Sequence, residues 1–180
     1  MIDKNLKLHL ACSKDDTREA LQYVLALKDF MVATDAHIAA VVPTEQVFED
    51  EVFRSFIPEE GLLIHREDWQ KLVAFDFAVW KTEGEVIRLI SKKKRDMLIE
   101  VVKNGEDFHF PNWRAIIPNE DDSSPIERIG ANASNLLRCQ QALGLESLKM
   151  TFFAPERPIL VKDARSDSGR YGIVMPVLIK

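Results

Sequence analysis

One order of predicted elements occurs twice along the chain, and it limits the fold more than any single motif does. In the segment 62–118 an amphipathic helix is followed by three strand-like stretches, and the segment 130–180 repeats that order. Consecutive antiparallel strands with their helices gathered on one face form an α+β layered domain. The repeat therefore predicts antiparallel sheets with both helices on the same face.

The first unit predicts a helix over 62–76, because apolar residues recur there at helical spacing among charged ones. Strands over 85–90, 96–102 and 108–110 are expected to follow as a meander. The turn before the third strand contains Asn-Gly, a dipeptide typical of hairpins. The turn between the first two strands is basic, which is usual for a solvated tip and also suits contact with phosphate. This basic turn consists of Lys92, Lys93, Lys94 and Arg95.

The second unit predicts a helix over 130–144. Asn132 or Ser134 is suited to cap its start, and Gly144 stands where helices commonly end. Three strands are expected after it, with a polar stretch between the last two. Their expected ranges are 147–153, 158–164 and 171–180.

The N-terminal part is more ambiguous. Leucines alternate with polar residues over 6–13, which predicts a half-buried strand. Two apolar runs, 21–27 and 30–42, flank a two-residue polar link and indicate a hairpin, although a helix over 17–27 also fits the spacing. The acidic segment 44–56 suits a short amphipathic helix or an ordered loop.

We expect a single domain over the whole chain, with its boundaries at polar breaks. The acidic, proline-flanked stretch near its middle is the clearest linker. The parts of this domain are an N-terminal region (1–61), the first unit (62–118), the linker (119–129) and the second unit (130–180).

Composition excludes some classes of protein. With 180 residues and 46 % hydrophobic content, the chain can bury a core, and no apolar stretch has the roughly 18 residues that a membrane span needs. Cys12 and Cys139 lie far apart without metal-binding spacing, which predicts reduced thiols in a cytoplasmic protein. The net charge of −5 argues against a protein that coats nucleic acid with its whole surface, but a local basic face remains compatible with it.

The apolar run FMVATDAHIAAVV is interrupted at its centre by Thr34, Asp35 and His37. These residues suit a catalytic group, a structural kink or the rim of a binding pocket. Asp35 with His37, and Glu106 with His109, are conceivable acid–base pairs. No serine elbow, metal-ligand constellation or glycine-rich phosphate loop accompanies them, so we expect neither an enzyme nor a metal site.

Several segments resemble the bacterial sliding clamp, the β subunit of DNA polymerase III. ATDAHIAAVV resembles the clamp's Ala-Thr-Asp-Gly-His segment, and FHFPNWRAIIP resembles its Phe-Pro-Asp-Tyr turn. IGANASNLLRCQQALGLESLKM and YGIVMPVLI are similar to its last helix and closing Met-Pro strand. These matches follow the family's order across most of 21–180. The chain departs from the family at Ala36, Ile38 and Ala39, where the family has Gly, Arg and Leu.

The resemblance implies a fold whose two helices line a concave, DNA-facing side and whose strands form an outer sheet. A clamp contacts phosphates through Lys and Arg without reading sequence, which implies double-stranded DNA as a partner. Because the chain has material for about one clamp domain plus a hairpin, a ring would require a homo-oligomer. The implied contacts are Arg66, Lys71 and Arg138. Basic support is expected from Lys92, Lys93, Lys94 and Arg95, or alternatively from Lys162, Arg165 and Arg170.

The family also has a cleft in which short peptides of polymerases and clamp loaders dock. An apolar pocket with a methionine suits this use, because methionine repacks around varied side chains. On this interpretation Thr34, Asp35 and His37 fix a local kink, and one of them edges the pocket. The alternative is a clamp-fold protein-interaction module that does not encircle DNA. By match, the cleft lining is Thr34, His37, Pro118, Val174, Met175 and Pro176.

Overall fold

A computed structural model describes residues 4–48, 51–55, 57–74, 77–83, 86–91, 96–105, 108–123 and 125–179. Ten strands form one antiparallel sheet with the order β5-β6-β7-β4-β1-β2-β3-β10-β9-β8. The strands are β1 (Tyr23–Ala26), β2 (Phe30–Thr34), β3 (Ile38–Pro43), β4 (Leu62–His65), β5 (Phe77–Glu83), β6 (Val86–Ser91), β7 (Asp96–Lys103), β8 (Leu148–Thr151), β9 (Ile159–Asp163) and β10 (Tyr171–Val174).

Four α-helices accompany the sheet in the described part of the chain, and the two longer ones pack on one of its faces. Buried residues of both belong to the same core cluster, including Trp69 of the first and Leu143 of the second. This common face confirms the predicted α+β architecture. The helices are α1 (Thr44–Val47), α2 (Glu51–Ser55), α3 (Arg66–Ala74) and α4 (Ala133–Leu143).

The repeated order of one helix and three strands is confirmed, with two corrections in the first unit. α3 precedes β5, β6 and β7, just as α4 precedes β8, β9 and β10. The predicted helix over 62–76 begins only at Arg66, because Leu62–His65 form β4 between β1 and β7. The third strand of the unit is not 108–110. That segment is irregular, and Phe77–Glu83 supplies the strand instead.

Both ends of α4 follow local sequence rules. The Asn132 side chain accepts a hydrogen bond from the Ser134 backbone N–H at 2.9 Å, which makes Asn132 the cap. Gly144 ends the helix at φ 64°, and a Cβ there would lie 2.8 Å from the Asn5 carbonyl oxygen. Glycine therefore suits this position both sterically and conformationally.

The predicted strand over 6–13 is wrong. Leu8–Leu10 form a 3₁₀ helix, which contacts both α3 and α4. Leu6 and Leu8 are fully buried in the core cluster that these helices share. The alternating leucines therefore belong to a short helical turn that lies between two helices. The pattern misled because a half-buried strand and a half-buried 3₁₀ turn can bury the same leucines.

The hairpin prediction is confirmed. The alternative of a helix over 17–27 is wrong, since only a short 3₁₀ turn precedes the first strand in this range. Glu19–Gln22 form a 3₁₀ turn, and Tyr23–Ala26 form β1, which pairs with β2. The apolar run 30–42 is two strands rather than one, since β2 and β3 pair with each other. The segment 44–56 contains the short helices α1 and α2.

The face of the sheet opposite the helices is covered by the segment 108–118. Phe110 and Trp113 pack there against a cluster that includes Val32 and Val41. Phe30 and Trp113 meet edge to face, with ring centroids 6.1 Å apart. None of the helices in the described ranges has the length and apolar character required to span a bilayer.

Candidate functional site

The polar centre of the run 30–42 forms the turn between β2 and β3. The Asp35 carboxylate accepts hydrogen bonds from the backbone N–H groups of His37 and Ile38, at 2.8 and 2.9 Å. The Thr34 hydroxyl donates to the Ile38 carbonyl at 2.7 Å. Ala36 has φ 74°, a left-handed conformation that favours glycine. The expected kink is therefore a complete reversal of the chain, held by two side chains.

The second oxygen of Asp35 connects this turn to α4. Arg138 Nη2 lies 2.7 Å from Asp35 Oδ2, and the same guanidinium donates twice to the Leu10 carbonyl, at 2.9 and 3.1 Å. Asp35 is only 8 % exposed, and the Arg138 side chain is 33 % exposed. Charge-assisted hydrogen bonds of this geometry are strong. Arg138 thus joins α4, the β2–β3 turn and the N-terminal 3₁₀ helix.

The cations of α3 are paired within their own helix. Lys71 Nζ donates to Asp68 Oδ1 at 2.7 Å, and this bond raises the pKa of the lysine. Arg66 Nη2 lies 3.8 Å from Glu67 Oε1, while its Nε is buried without a hydrogen-bond partner among the described residues. Lys71 is 60 % exposed, so its ion pair is weak in water and readily exchanged for another anion.

Two basic residues near α3, Lys7 and His9, are not among the predicted site residues, and His9 was expected to be solvated. Lys7 is exposed beside the 3₁₀ helix, and His9 is half-buried within it. Burial lowers the pKa of His9, and the positive charges of Lys7 and Arg66 lower it further. The 3₁₀ helix contacts α3, which begins at Arg66, and Arg138 of α4 bonds to the carbonyl of Leu10 in the same 3₁₀ helix. Long-range proximity of this kind leaves no local sequence signal.

The remaining residues of the predicted DNA contact, Lys92, Lys93, Lys94 and Arg95, lie outside the described residues. β6 ends at Ser91 and β7 begins at Asp96, and the two strands pair antiparallel.

The structure places the residues of the predicted cleft on both faces of the sheet. Thr34 lies on the same face as Val32, opposite the helices, since alternate residues of a strand share a face. Val174 packs in the core cluster on the helix side. His37 is exposed, and its carbonyl accepts a hydrogen bond from the Met175 N–H at 2.9 Å. Met175 and Pro176 are half-buried, and Pro118 is buried.

An apolar cluster adjoins these residues on the face opposite the helices. Ala39, Leu160 and Ile173 are buried there with Phe153, and Ile116 packs against them. The alternation within YGIVM already places Ile173 and Met175 on one face and Val174 on the other. This alternation could have identified Ile173 as part of the cluster from the sequence alone. Ile116 could not be identified in this way, because it belongs to a distant segment of the chain.

The thiols are buried and unreactive by environment. Burial raises the pKa of Cys139 to about 12 and that of Cys12 further still. Both cysteines are free. Among the described residues, no group of three or more His, Cys, Asp or Glu side chains is arranged to hold a metal ion.

The fold can be compared with solved structures. The sliding clamp of Bartonella birtlesii, crystallised with griselimycin, matches 98 % of this chain at a TM-score of 0.65 and 18 % identity. The β subunit of Streptococcus pyogenes DNA polymerase matches 98 % at 0.68 and 12 %, and that of Thermotoga maritima matches 98 % at 0.65 and 15 %. The chain has the sliding-clamp fold.

The likeness to sliding clamps is structural. The chain spans 64 % of the Bartonella clamp and 63 % of each of the other two, which is less than two thirds of a clamp chain. No protein-family model matches the sequence, and no curated protein matches it either. At identities of 12 to 18 %, these comparisons establish the fold.

Proposed function

We propose that this protein is a non-enzymatic, cytoplasmic accessory of DNA replication that acts as a sliding-clamp-like processivity factor. It contacts the backbone of duplex DNA without sequence preference and docks peptides of a polymerase or clamp loader. The observation that carries the proposal is the clamp fold, in which α3 and α4 occupy the same face of a continuous sheet.

The proposed DNA contact is the helix side of the molecule. Lys71 and Arg66 supply cations whose present partners are carboxylates of their own helix, which phosphates can replace. Arg138 adds positive charge from α4, although Asp35 compensates part of it. The basic turn 92–95 is also included in the proposed DNA contact. Weak contacts add together when several copies surround one duplex.

A salt titration tests this contact. We expect the double variant Arg66→Gln/Lys71→Gln to bind a labelled duplex more weakly, with the slope of log K against log salt smaller by about 2 per protomer. The matched control is Lys28→Gln/Arg157→Gln, which removes one Lys and one Arg that also pair with carboxylates, but on turns outside the helices. Equal losses in both double variants would contradict a helix-side contact.

The proposed peptide site lies around the β2–β3 turn and the end of β10. Met175 and Pro176 are half-buried there, next to the exposed His37. The neighbouring apolar cluster of Ala39, Ile116 and Ile173 offers a floor for aliphatic side chains. Thr34 and Pro118 complete the proposed set, whereas Val174 of the predicted lining packs in the core cluster on the helix side. A short linear peptide suits such a surface, since a few apolar anchors fix it and polar groups orient it.

Calorimetry with a clamp-binding peptide of a bacterial polymerase tests this site. We expect Met175→Ala to weaken binding about tenfold while the unfolding midpoint stays unchanged, because truncating one anchor removes roughly 1–2 kcal/mol. Met150→Ala is the control, since Met150 is exposed on β8. Unchanged affinity in Met175→Ala would remove this part of the proposal.

Encirclement of DNA requires more than one copy of this chain, so we also propose a homo-oligomer. The sheet supports this, because its end strands β5 and β8 each have one edge without a strand partner in the described residues. Analytical ultracentrifugation is expected to show a ring-sized oligomer that forms as concentration rises. Such a ring should stay on circular DNA in high salt and leave after the DNA is linearised.

The second candidate is a clamp-fold interaction module that does not encircle DNA. The pairing of Arg66, Lys71 and Arg138 with nearby carboxylates favours it, as does the net charge of −5. A strictly monomeric protein that binds the polymerase peptide but not duplex DNA would establish this candidate over the processivity factor.

A further inference from the structure

Arg138 lies between two parts of the molecule to which the proposed function gives different ligands. It belongs to α4 on the helix side, where duplex DNA is proposed to bind. Its Nη2 donates to Asp35 Oδ2 at 2.7 Å, and Asp35 belongs to the β2–β3 turn beside the proposed peptide site. One side chain therefore extends from the proposed DNA side to the support of the peptide site.

A series of hydrogen bonds continues from Asp35 to the peptide site. Asp35 Oδ1 accepts from the backbone N–H groups of His37 and Ile38, at 2.8 and 2.9 Å. The His37 carbonyl in turn accepts from the Met175 N–H at 2.9 Å, and Ile38 pairs with Val174 of β10. A change at the Asp35 carboxylate can therefore reach Met175 through His37.

The donors of Arg138 are divided in a way that brings a phosphate into competition with Asp35. Nε and Nη2 both donate to the Leu10 carbonyl, so the second N–H of Nη2 is the one that Asp35 accepts. Nη1 has no hydrogen-bond partner among the described residues, and the side chain is 33 % exposed. Arginine commonly binds phosphate through two parallel N–H groups. A phosphate that binds Nη1 and Nη2 together must therefore replace Asp35.

Loss of the Arg138 bond changes the balance of forces on the turn. The Asp35 carboxylate is only 8 % exposed, and a buried charge without its partner is strongly unfavourable. The carboxylate then gains by moving toward water, which gives up the N–H groups of His37 and Ile38. The turn thus has two arrangements, one held by Arg138 and one released.

We propose that duplex DNA and the partner peptide act on each other through Arg138, so that each ligand weakens the binding of the other. This inference rests on the proposed function, which supplies both ligands. A phosphate favours the released turn, whereas the peptide favours the turn in which Asp35 holds His37. Because such coupling is reciprocal, each ligand must raise the dissociation constant of the other by the same factor.

Fluorescence anisotropy with two probes measures this coupling. The probes are a labelled clamp-binding peptide of a bacterial polymerase and a short blunt-ended DNA duplex. We expect each probe, at saturation, to raise the dissociation constant of the other about fivefold. A protein that binds both probes independently would overturn the inference and leave the proposed function standing. A protein that binds no duplex would overturn both.

The variant Asp35→Asn separates this route from direct overlap of the two ligands. The asparagine oxygen can still accept from His37 and Ile38, but it carries no charge that competes for Arg138. We expect the duplex to bind severalfold more tightly, with a salt slope larger by about 1, and the peptide affinity to change less than about twofold. The coupling should disappear. If it persists at about fivefold, the two ligands touch each other directly and the inference is wrong.

The matched control for this variant is Asp163→Asn. Asp163 also accepts a backbone N–H within a turn, from Arg165 at 3.0 Å, and the control removes the same single negative charge. It should leave the coupling at about fivefold. Loss of coupling in this control as well would show that net charge, and not the bond between Asp35 and Arg138, produces the effect.

A double variant gives a result that a purely structural role of Arg138 would not. Arg138→Gln leaves Asp35 without its cation and should weaken peptide binding about fivefold, to the level of the duplex-saturated parent. Adding Asp35→Asn removes the unpaired charge and should restore peptide affinity without restoring the coupling. Peptide affinity that stays low in the folded double variant would contradict the inference. Circular dichroism checks the fold, and Asp35→Asn alone decides the question if Arg138→Gln does not fold.

Discussion

α3 and α4 occupy equivalent places in the two units, yet their arginines have different roles. Arg66 of α3 lies near Glu67 at 3.8 Å and keeps a buried Nε without a described partner. Arg138 of α4 has three hydrogen bonds, to Leu10 and Asp35, which lie 128 and 103 residues away. The first arginine is bound locally and loosely, and the second joins distant segments.

The two helices also differ in how their ends are determined. α4 has a side-chain cap at Asn132 and a left-handed glycine at Gly144. α3 follows β4 directly at Arg66, so its start is set by the strand before it. This difference indicates that α4 fastens the fold more firmly than α3 does. The following variants test that division.

The largest expected effect concerns the contact between α4 and the sheet. A Cβ at Gly172 would lie 2.2 Å from the Cys139 Sγ, so in Gly172→Ala either the Cys139 side chain or α4 itself must shift. We expect a loss of about 3 kcal/mol in the free energy of unfolding, measured by urea denaturation. Adding Cys139→Ala should restore part of it. A fully stable Gly172→Ala protein would show that α4 is not packed closely against the sheet.

The next effect is that of the long-range arginine. Arg138→Ala leaves the mostly buried Asp35 carboxylate without its cation, and we expect a loss of about 2–3 kcal/mol in urea denaturation. Lys71→Ala is the comparison on α3, and it should leave the free energy of unfolding nearly unchanged because its ion pair is exposed. A double-mutant cycle with Asp35→Asn should yield a coupling energy of about 1–2 kcal/mol. Similar losses in Arg138→Ala and Lys71→Ala would remove the distinction between the helices.

A smaller effect is expected at the start of α4. Asn132→Ala removes the hydrogen bond to the Ser134 N–H and should lower the unfolding free energy by about 1 kcal/mol. Gln141→Ala, at an exposed position of the same helix, is the control and should be nearly neutral. If Asn132→Ala behaves like Gln141→Ala, the cap does not determine where the helix begins.

The smallest effect has the opposite sign. Ala36 carries a side chain at φ 74°, and Ala36→Gly relieves that strain in the turn that holds Asp35. We expect a gain of about 0.5 kcal/mol, since the added flexibility of the unfolded chain offsets part of the relief. A thermal unfolding midpoint lower than that of the parent protein would contradict the left-handed turn.

These differences explain which features the sequence could reveal. The bounds of α4 were predictable because Asn132 and Gly144 act on their own neighbours. The turn at Asp35 was misread as a kink within one strand, since it lacks the glycine that usually marks a two-strand reversal. The partner of Asp35 was unpredictable for a different reason. Arg138 is 103 residues away, and its helix position alone resembles that of any solvated cation.

The placement of both helices on one face is tested most directly by the side chains between them. Leu6 and Leu8 belong to a core cluster that contains Trp69 of α3 and Leu143 of α4. In a methyl-labelled sample, nuclear Overhauser spectra should connect the methyl groups of these two leucines with side chains of α3 and also with side chains of α4. Contacts to only one helix would place the other on the opposite face and contradict the clamp-like arrangement.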